Sequence, residues 1–229
     1  MDGASAFDLI LSGDRALFAI VRLSLIVSLS ATLLAALVGM PFGAGLALSR
    51  FSGRGAVIAT LNALMGLPPV VVGLAVFLLL SRAGPLGNLG ILFTPTAMVI
   101  AQAILIAPII AALTRQVLED LWAEYRDELT AMEVGPVQRI ATLLWDGRLA
   151  LVTIGLAGFG RAAAEVGAVM IVGGNIDGHT RTMTTAIALE TSKGNLPLAM
   201  GLGLVLIVLI LAVNAIAWAL RQWGERHAG

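Results

Sequence analysis

The stretch RQVLEDLWAEYRDELTAMEVGPVQRIATLLWDGR, Arg115 to Arg148, is a polar island in an otherwise apolar chain. Seven of the 14 acidic residues lie in it: Glu119, Asp120, Glu124, Asp127, Glu128, Glu133 and Asp146. Leu118, Leu121, Trp122, Tyr125, Leu129 and Met132 recur at three- and four-residue steps. That spacing predicts a helix with these residues on one face and carboxylates on the other. Gly135-Pro136 predicts the end of this helix, and Val137 to Leu144 predicts another. Such a helix–glycine–helix element between apolar runs suits contact with a soluble partner.

Outside the island the chain is apolar. Of its 229 residues, 59% are hydrophobic and 12% are charged, and the mean hydropathy is +0.96. Soluble domains carry roughly 25% charged residues. The expected fold class is therefore an all-α polytopic membrane protein. The net charge of zero gives no sign of a nucleic-acid partner. The absence of cysteine excludes disulfides, thiolate metal sites and cysteine catalysis. His179 and His227 are too few for a histidine metal cluster, so no metal site is expected.

A span needs about 20 apolar residues. Five candidates cover residues 17–48, 56–80, 94–113, 149–172 and 196–220. The first is longer than one bilayer crossing, with Arg22 near its outer end. Asp2, Asp8 and Asp14 precede any arginine. This is unlike a cleavable signal, which begins with basic residues. Residues 1–16 are expected to form a short non-cytoplasmic tail. With the N-terminus outside, the inner segments hold Arg50, Arg54, Arg115, Arg126, Arg139, Arg148, Arg221 and Arg226. The outer segments hold Arg15, Arg82, Arg181 and Lys193. This bias places the island over 115–148 and the tail over 221–229 in the cytoplasm.

Several spans carry groups that lipid disfavours. Pro68 and Pro69 cannot donate backbone hydrogen bonds, and their rings crowd the carbonyls of Leu64 and Met65. They form either a packing kink or a bend beside a pore. Pro108 invites the same choice, while Thr94-Pro95 reads as a helix start. Arg161 and Glu165 are four residues apart on one helix face, deep in the fourth span. Ionisable groups there face a cavity or each other. They form either a structural ion pair or the lining of an anion path. The loop 173–194 is too polar to span. Gly173, Gly174, Asn175 and Gly178 predict an irregular turn. Thr180, Thr182, Thr184 and Thr185 either offer hydroxyl donors to an oxyanion or tie down a re-entrant loop. Glu190 has no partner identifiable from sequence.

The chain has no Gly-x-x-x-x-Gly-Lys-Ser/Thr motif, no Gly-x-Ser-x-Gly and no His-Glu-x-x-His. It is not expected to bind ATP by a P-loop or to be an enzyme. A stand-alone secondary transporter or channel is the alternative to a subunit of a larger machine. It would need an ion-coupling site, for which Arg161–Glu165 is the candidate.

The island resembles the cytoplasmic loop of permease subunits of binding-protein-dependent ABC importers. That loop reads Glu-Ala-Ala, three residues, Gly, nine residues, Ile-x-Leu-Pro. Gly135 matches the glycine, and Ala131 matches within Leu129-Thr130-Ala131, with Glu128 one place early. Trp145-Asp146-Gly147-Arg148 stands where Ile-x-Leu-Pro would fall. LPPVVVGL (Leu67–Leu74), FGRAAAEVGAVMIVGGNI (Phe159–Ile176) and TRTMTTAIALETSKG (Thr180–Gly194) are similar to the molybdate, tungstate and sulfate permeases, the tungstate type above all.

The resemblance implies a homodimer of permease copies in the cytoplasmic (inner) membrane. It also implies two ABC ATPase subunits that use the ATP, and an extracytoplasmic oxyanion-binding protein. Tungstate is the implied cargo, then molybdate or sulfate. This chain would bind no cofactor itself. Glu128, Leu129, Ala131, Met132, Glu133, Gly135 and Pro136 would meet the ATPase. Pro68, Pro69, Arg161, Glu165, Asn175, Thr180, Thr182, Thr184 and Thr185 are the pore or gate candidates.

Overall fold

A computed structural model describes residues 15–227 as nine α-helices, with no strand among the described residues. Residues 1–14 of the expected tail lie outside the described residues, and Arg15 and Ala16 begin α1. The helices are α1 (Arg15–Leu48), α2 (Arg54–Leu64), α3 (Pro69–Leu80), α4 (Pro95–Ala131), α5 (Pro136–Asp146), α6 (Arg148–Ala163), α7 (Gly167–Gly173), α8 (Met183–Ser192) and α9 (Leu196–His227).

Length and apolarity qualify three helices as membrane spans: α1 from Leu17, α4, and α9 over Leu196–Ile216. The count reaches five if two bent pairs each make one span, α2 with α3 (97°) and α5 with α6 (70°). At 1.5 Å per residue the 37 residues of α4 extend about 56 Å. A hydrocarbon core is about 30 Å thick. Pro95 to Leu113 fills that thickness, and Arg115 to Ala131 continues beyond it without a break. The sequence divides here into a span and a separate polar helix, but the backbone does not. No glycine or proline lies between Leu113 and Ala131, and Arg115 pairs with Glu119 one turn on.

Two expected spans are broken. The segment 56–80 is two helices. Gly66 and Leu67 N–H groups bond back to Ala63 O (3.1 Å) and Leu64 O (3.2 Å), closing α2. Pro68 then caps α3 and Pro69 takes its first position, where the missing N–H costs nothing. The prolines open a helix rather than kink one. The segment 149–172 is likewise divided by Ala164–Val166, between α6 and α7.

The core is the crossing of α1 and α4. A Cβ on Gly39 would lie 2.9 Å from Ala107 O, and one on Gly43 would collide with the Ala111 carbonyl. Small residues thus let two long helices meet backbone to backbone. Arg54 fastens the far end. Its Nε donates to Leu46 O at 3.0 Å near the C-terminus of α1. Its guanidinium also pairs with Glu119 on α4, which Arg115 pairs with in turn.

Candidate transport and coupling sites

The α6–α7 break is built around one carboxylate. Arg161 Nη1 donates to Glu165 Oε2 at 2.6 Å. The Ala168 N–H donates to Glu165 Oε1 at 3.2 Å. The Glu165 side chain is 4% exposed, against 38% for Arg161. Each carboxylate oxygen therefore has a partner inside the fold, while the guanidinium is partly open. The Glu165 carbonyl, freed by the break, accepts the Thr184 hydroxyl at 2.8 Å. A Cβ at Gly167 would sit 3.0 Å from Val70 Cγ2 and 3.7 Å from Glu165 Oε1. A Cβ at Gly73 would sit 2.7 Å from Ala168 Cα. The starts of α3 and α7 therefore lie side by side. Val70, which follows Pro68 and Pro69, is thereby brought against Gly167, two residues after Glu165.

The loop after α7 carries the other candidates. Gly174 (φ 69°), Asn175 (φ 49°) and Gly178 (φ 69°) occupy left-handed backbone. Glycine and asparagine take that region at least cost. Thr180 Oγ1 donates to Gly173 O (2.5 Å) and accepts the Ile176 N–H (2.9 Å). The Thr182 N–H donates to Thr185 Oγ1 (3.0 Å) in a capping box that starts α8. Asn175 Nδ2 reaches Thr185 O at 3.3 Å, while its Oδ1 is buried without a partner. All four threonines are buried and bonded within the loop or to the α6–α7 break. An anion would have to compete with those bonds.

Glu190 finds partners that sequence spacing alone leaves unseen. Lys193 Nζ (2.9 Å) and Asn195 Nδ2 (3.0 Å) donate to its two oxygens. The Lys193 hydrogen bond holds the Glu190 carboxyl below the usual carboxylate range. Burial opposes that shift, while Asn195 and the charges of Lys193 and Arg181 reinforce it.

The polar island forms an elbow. α4 ends at Ala131, and Glu133 takes the left-handed conformation (φ 53°). Val134 N–H bonds to Leu129 O (3.2 Å) and Glu133 N–H to Thr130 O (3.0 Å). This is a Schellman ending with glutamate where glycine usually stands. The sequence assigns the stop to Gly135, but Gly135 is the N-cap of α5 at φ −64°, ψ 157°. Any residue adopts that backbone, and nothing lies within 4 Å of a Cβ built there. Pro136 occupies the first position of α5. Arg139 closes the inside of the bend, donating to Val134 O (3.2 Å) with its guanidinium 4.5 Å from the Trp122 ring centroid. Leu129 and Leu143 are buried beneath it. Glu128, Ala131, Glu133, Gly135 and Pro136 are exposed, as are Met132 (73%), Val137 (81%) and Trp145 (69%).

Three structural groups escape the sequence reading. Arg54, Glu119 and Arg115 form one network, of which only the Arg115–Glu119 spacing was visible in sequence. Gln102 Nε2, buried in α4, donates to Ala162 O at 3.0 Å beside the α6–α7 break. Ser24 Oγ accepts the Met183 N–H at 2.8 Å, joining α1 to α8. The last two pairs lie far apart in sequence and have no motif.

No family model matches the chain. Individual proteins do. A tungstate uptake system permease protein of Peptoclostridium acidaminophilum is 41% identical over 218 residues, 95% of this chain and 96% of that one. A probable anion ABC transporter permease protein of Haloferax volcanii is 39% identical over 205 residues, 87% and 88% of the two chains. A molybdenum transport system permease protein of Azotobacter vinelandii is 28% identical over 177 residues, 74% and 78% of the two chains. The sequence likeness covers most of each relative, and the chain belongs to the ABC transporter permease family that includes the tungstate uptake permeases.

Proposed function

We propose that this chain is the membrane subunit of an ATP-driven importer of a tetrahedral oxyanion, tungstate first and molybdate or sulfate next. ATP is hydrolysed by a separate pair of ABC subunits. Two copies of this chain form the translocation path, and an extracytoplasmic binding protein delivers the anion. The N-terminus faces outward and the elbow and C-terminus face the cytoplasm of a cell whose inner membrane holds the chain. The elbow carries the reading. It sets Met132 and Val137 in the open, among exposed Glu128 and Glu133, at the end of a helix that begins inside the membrane. Exposed apolar side chains rimmed by charge mark a protein interface.

The proposed coupling runs through α4. ATP-driven approach of the partner subunits would move the two elbows, and α4 would carry the movement inward as one continuous helix. Gln102, bonded to Ala162 O, passes it to the Arg161–Glu165 break. Pore and gate roles for Pro68, Pro69, Arg161, Glu165, Asn175, Thr180, Thr182, Thr184 and Thr185 follow from this scheme. Two global states biased by ATP at one end and by anion at the other are what alternating access requires.

Gly135→Asp tests the reading. Aspartate at an N-cap is favourable, and there is room for it. The variant is expected to insert and to resist heat like the wild type, while ATP-dependent tungstate uptake in proteoliposomes with the partner subunits falls at least tenfold. Wild-type uptake would remove the elbow from the coupling surface. ATP-independent uptake by the chain alone would favour a stand-alone carrier instead. That reading gains little from Glu165, whose carboxylate is already bonded on both oxygens.

A further inference from the structure

A cavity of about 310 Å³ lies between α1 and the loop that follows α7, and neither Arg161 nor Glu165 lines it. Arg22 lines it from α1, and Asp177, His179 and Arg181 line it from the loop. Its remaining walls include Ile20, Leu23 and Ile26. The seam between the two segments is fixed by the Ser24–Met183 bond. Arg22 stands two residues before Ser24, and Arg181 two residues before Met183. That one bond brings both arginines to a common space.

The charge in this space is uneven. Arg181 Nη1 pairs with Asp177 Oδ1 at 3.0 Å, and the Asp177 side chain is 77% exposed. Arg181 Nε is buried with no acceptor. Arg22 is exposed and has no hydrogen-bond or ion-pair partner among the described residues. Glu190, which also feels Arg181, is already bonded by Lys193 and Asn195. Two guanidiniums and an imidazole therefore face one solvated carboxylate. Forked N–H donors match the oxygens of a phosphate-like group, and apolar walls reduce screening. At about 30 Å³ per water, the space holds a small anion with part of its hydration.

We propose that this cavity binds a tetrahedral oxyanion group, gripped by Arg22 and Arg181 with His179 as a further donor. A free dianion and the phosphate of a lipid headgroup share that chemistry. The free-dianion form deepens the importer reading and rests on it, whereas the site itself does not.

The test is equilibrium binding to the purified full chain in maltoside micelles, which contain no phosphate. The probes are radiolabelled tungstate alone and phosphatidylglycerol alone. For a free-anion site, tungstate binds saturably, Arg22→Gln weakens it at least tenfold, and Arg22→Lys weakens it less. For a headgroup site, tungstate does not bind, but phosphatidylglycerol does and shows the same tenfold loss. Arg181→Gln is expected to act in the same direction. The decisive variant remains Arg22→Gln, because Arg22 bonds to nothing described in the fold. Failure of the wild type to bind either probe overturns the site, as does equal binding by wild type and Arg22→Gln. No ATPase is present, so this failure is separable from loss of ATP-dependent uptake.

Discussion

Glu133 is an L-residue held in left-handed backbone at the end of α4. That conformation costs roughly 1–2 kcal/mol, and glycine escapes it while losing roughly 0.5–1 kcal/mol of chain entropy. Glu133→Gly is therefore expected to stabilise the elbow by on the order of 0.5 kcal/mol, a rise of about 1–2 °C in Tm. A lower Tm would mean that the carboxylate makes a stabilising interaction stronger than the strain. Nothing local in the sequence exposes this position, because the glycine two residues later attracts the helix stop while sitting in ordinary extended backbone. Glu190 gives a second test at this scale. Its carboxyl is depressed chiefly by the Lys193 hydrogen bond. A depressed carboxyl stabilises the fold above its unfolded pKa, near 4.5, and that contribution is lost as pH falls through the lower folded value. The thermal stability of the wild type should fall progressively below about pH 4.5, and Glu190→Gln should flatten that part of the profile. An identical acid profile in the variant would place the titration elsewhere.

Between elements, the α1–α4 crossing offers a matched pair of tests on one helix. A Cβ at Gly43 has the Ala111 carbonyl in its way, whereas one at Gly45 meets nothing within 4 Å. Gly43→Ala is expected to cost about 1–3 kcal/mol by overpacking. Gly45→Ala should be neutral, or stabilising by up to about 1 kcal/mol through helix propensity. Similar Tm values for the two variants would show that the crossing yields easily. This contrast lies in three-dimensional packing, and the sequence displays two equivalent glycines. Other elements were open to reading. The apolar runs over 17–48, 94–113 and 196–220 overlap α1, α4 and α9, and Leu118 to Ala131 lies in α4. Pro68-Pro69 announced a disruption, but not that it would be a 97° turn with the prolines starting the second helix. The α6–α7 break was hidden inside an apolar run, since Glu165 displaces the helix ladder only by bonding to the Ala168 N–H. The threonines illustrate the same limit: their number was visible, while their bonding depended on where Gly173 and Glu165 placed free carbonyls.

For the whole molecule, the decisive feature is that α4 joins the exposed elbow to the membrane interior as one continuous helix, with Pro108 inside it. A lever transmits displacement only if it is stiffer than the joints at its ends. Along its middle α4 is gripped by α1 at Ala107 and Ala111, opposite Gly39 and Gly43, and then by the Arg54–Glu119–Arg115 network and the packing of Leu118. Past Glu119 one face of α4 packs through Leu121, Trp122 and Tyr125, while Ala123 and Glu124 on the other face are exposed. Softening that stretch should separate motor from path without disturbing either. The double substitution Ala123→Gly, Glu124→Gly costs roughly 1 kcal/mol of helix stability per residue and leaves the elbow's exposed surface unchanged. The complex with its ATPase subunits is expected to assemble and to hydrolyse ATP, while tungstate uptake per ATP falls at least fivefold. Restoring a stiff helix with Glu124→Ala alone should return uptake to the wild-type level. If the softened variant transports with undiminished stoichiometry, the movement reaches the membrane by another route. The contact of α5 with α6 across Gly147 would then be the segment to examine, since a Cβ there would press within 3.0 Å of Leu121 Cδ1.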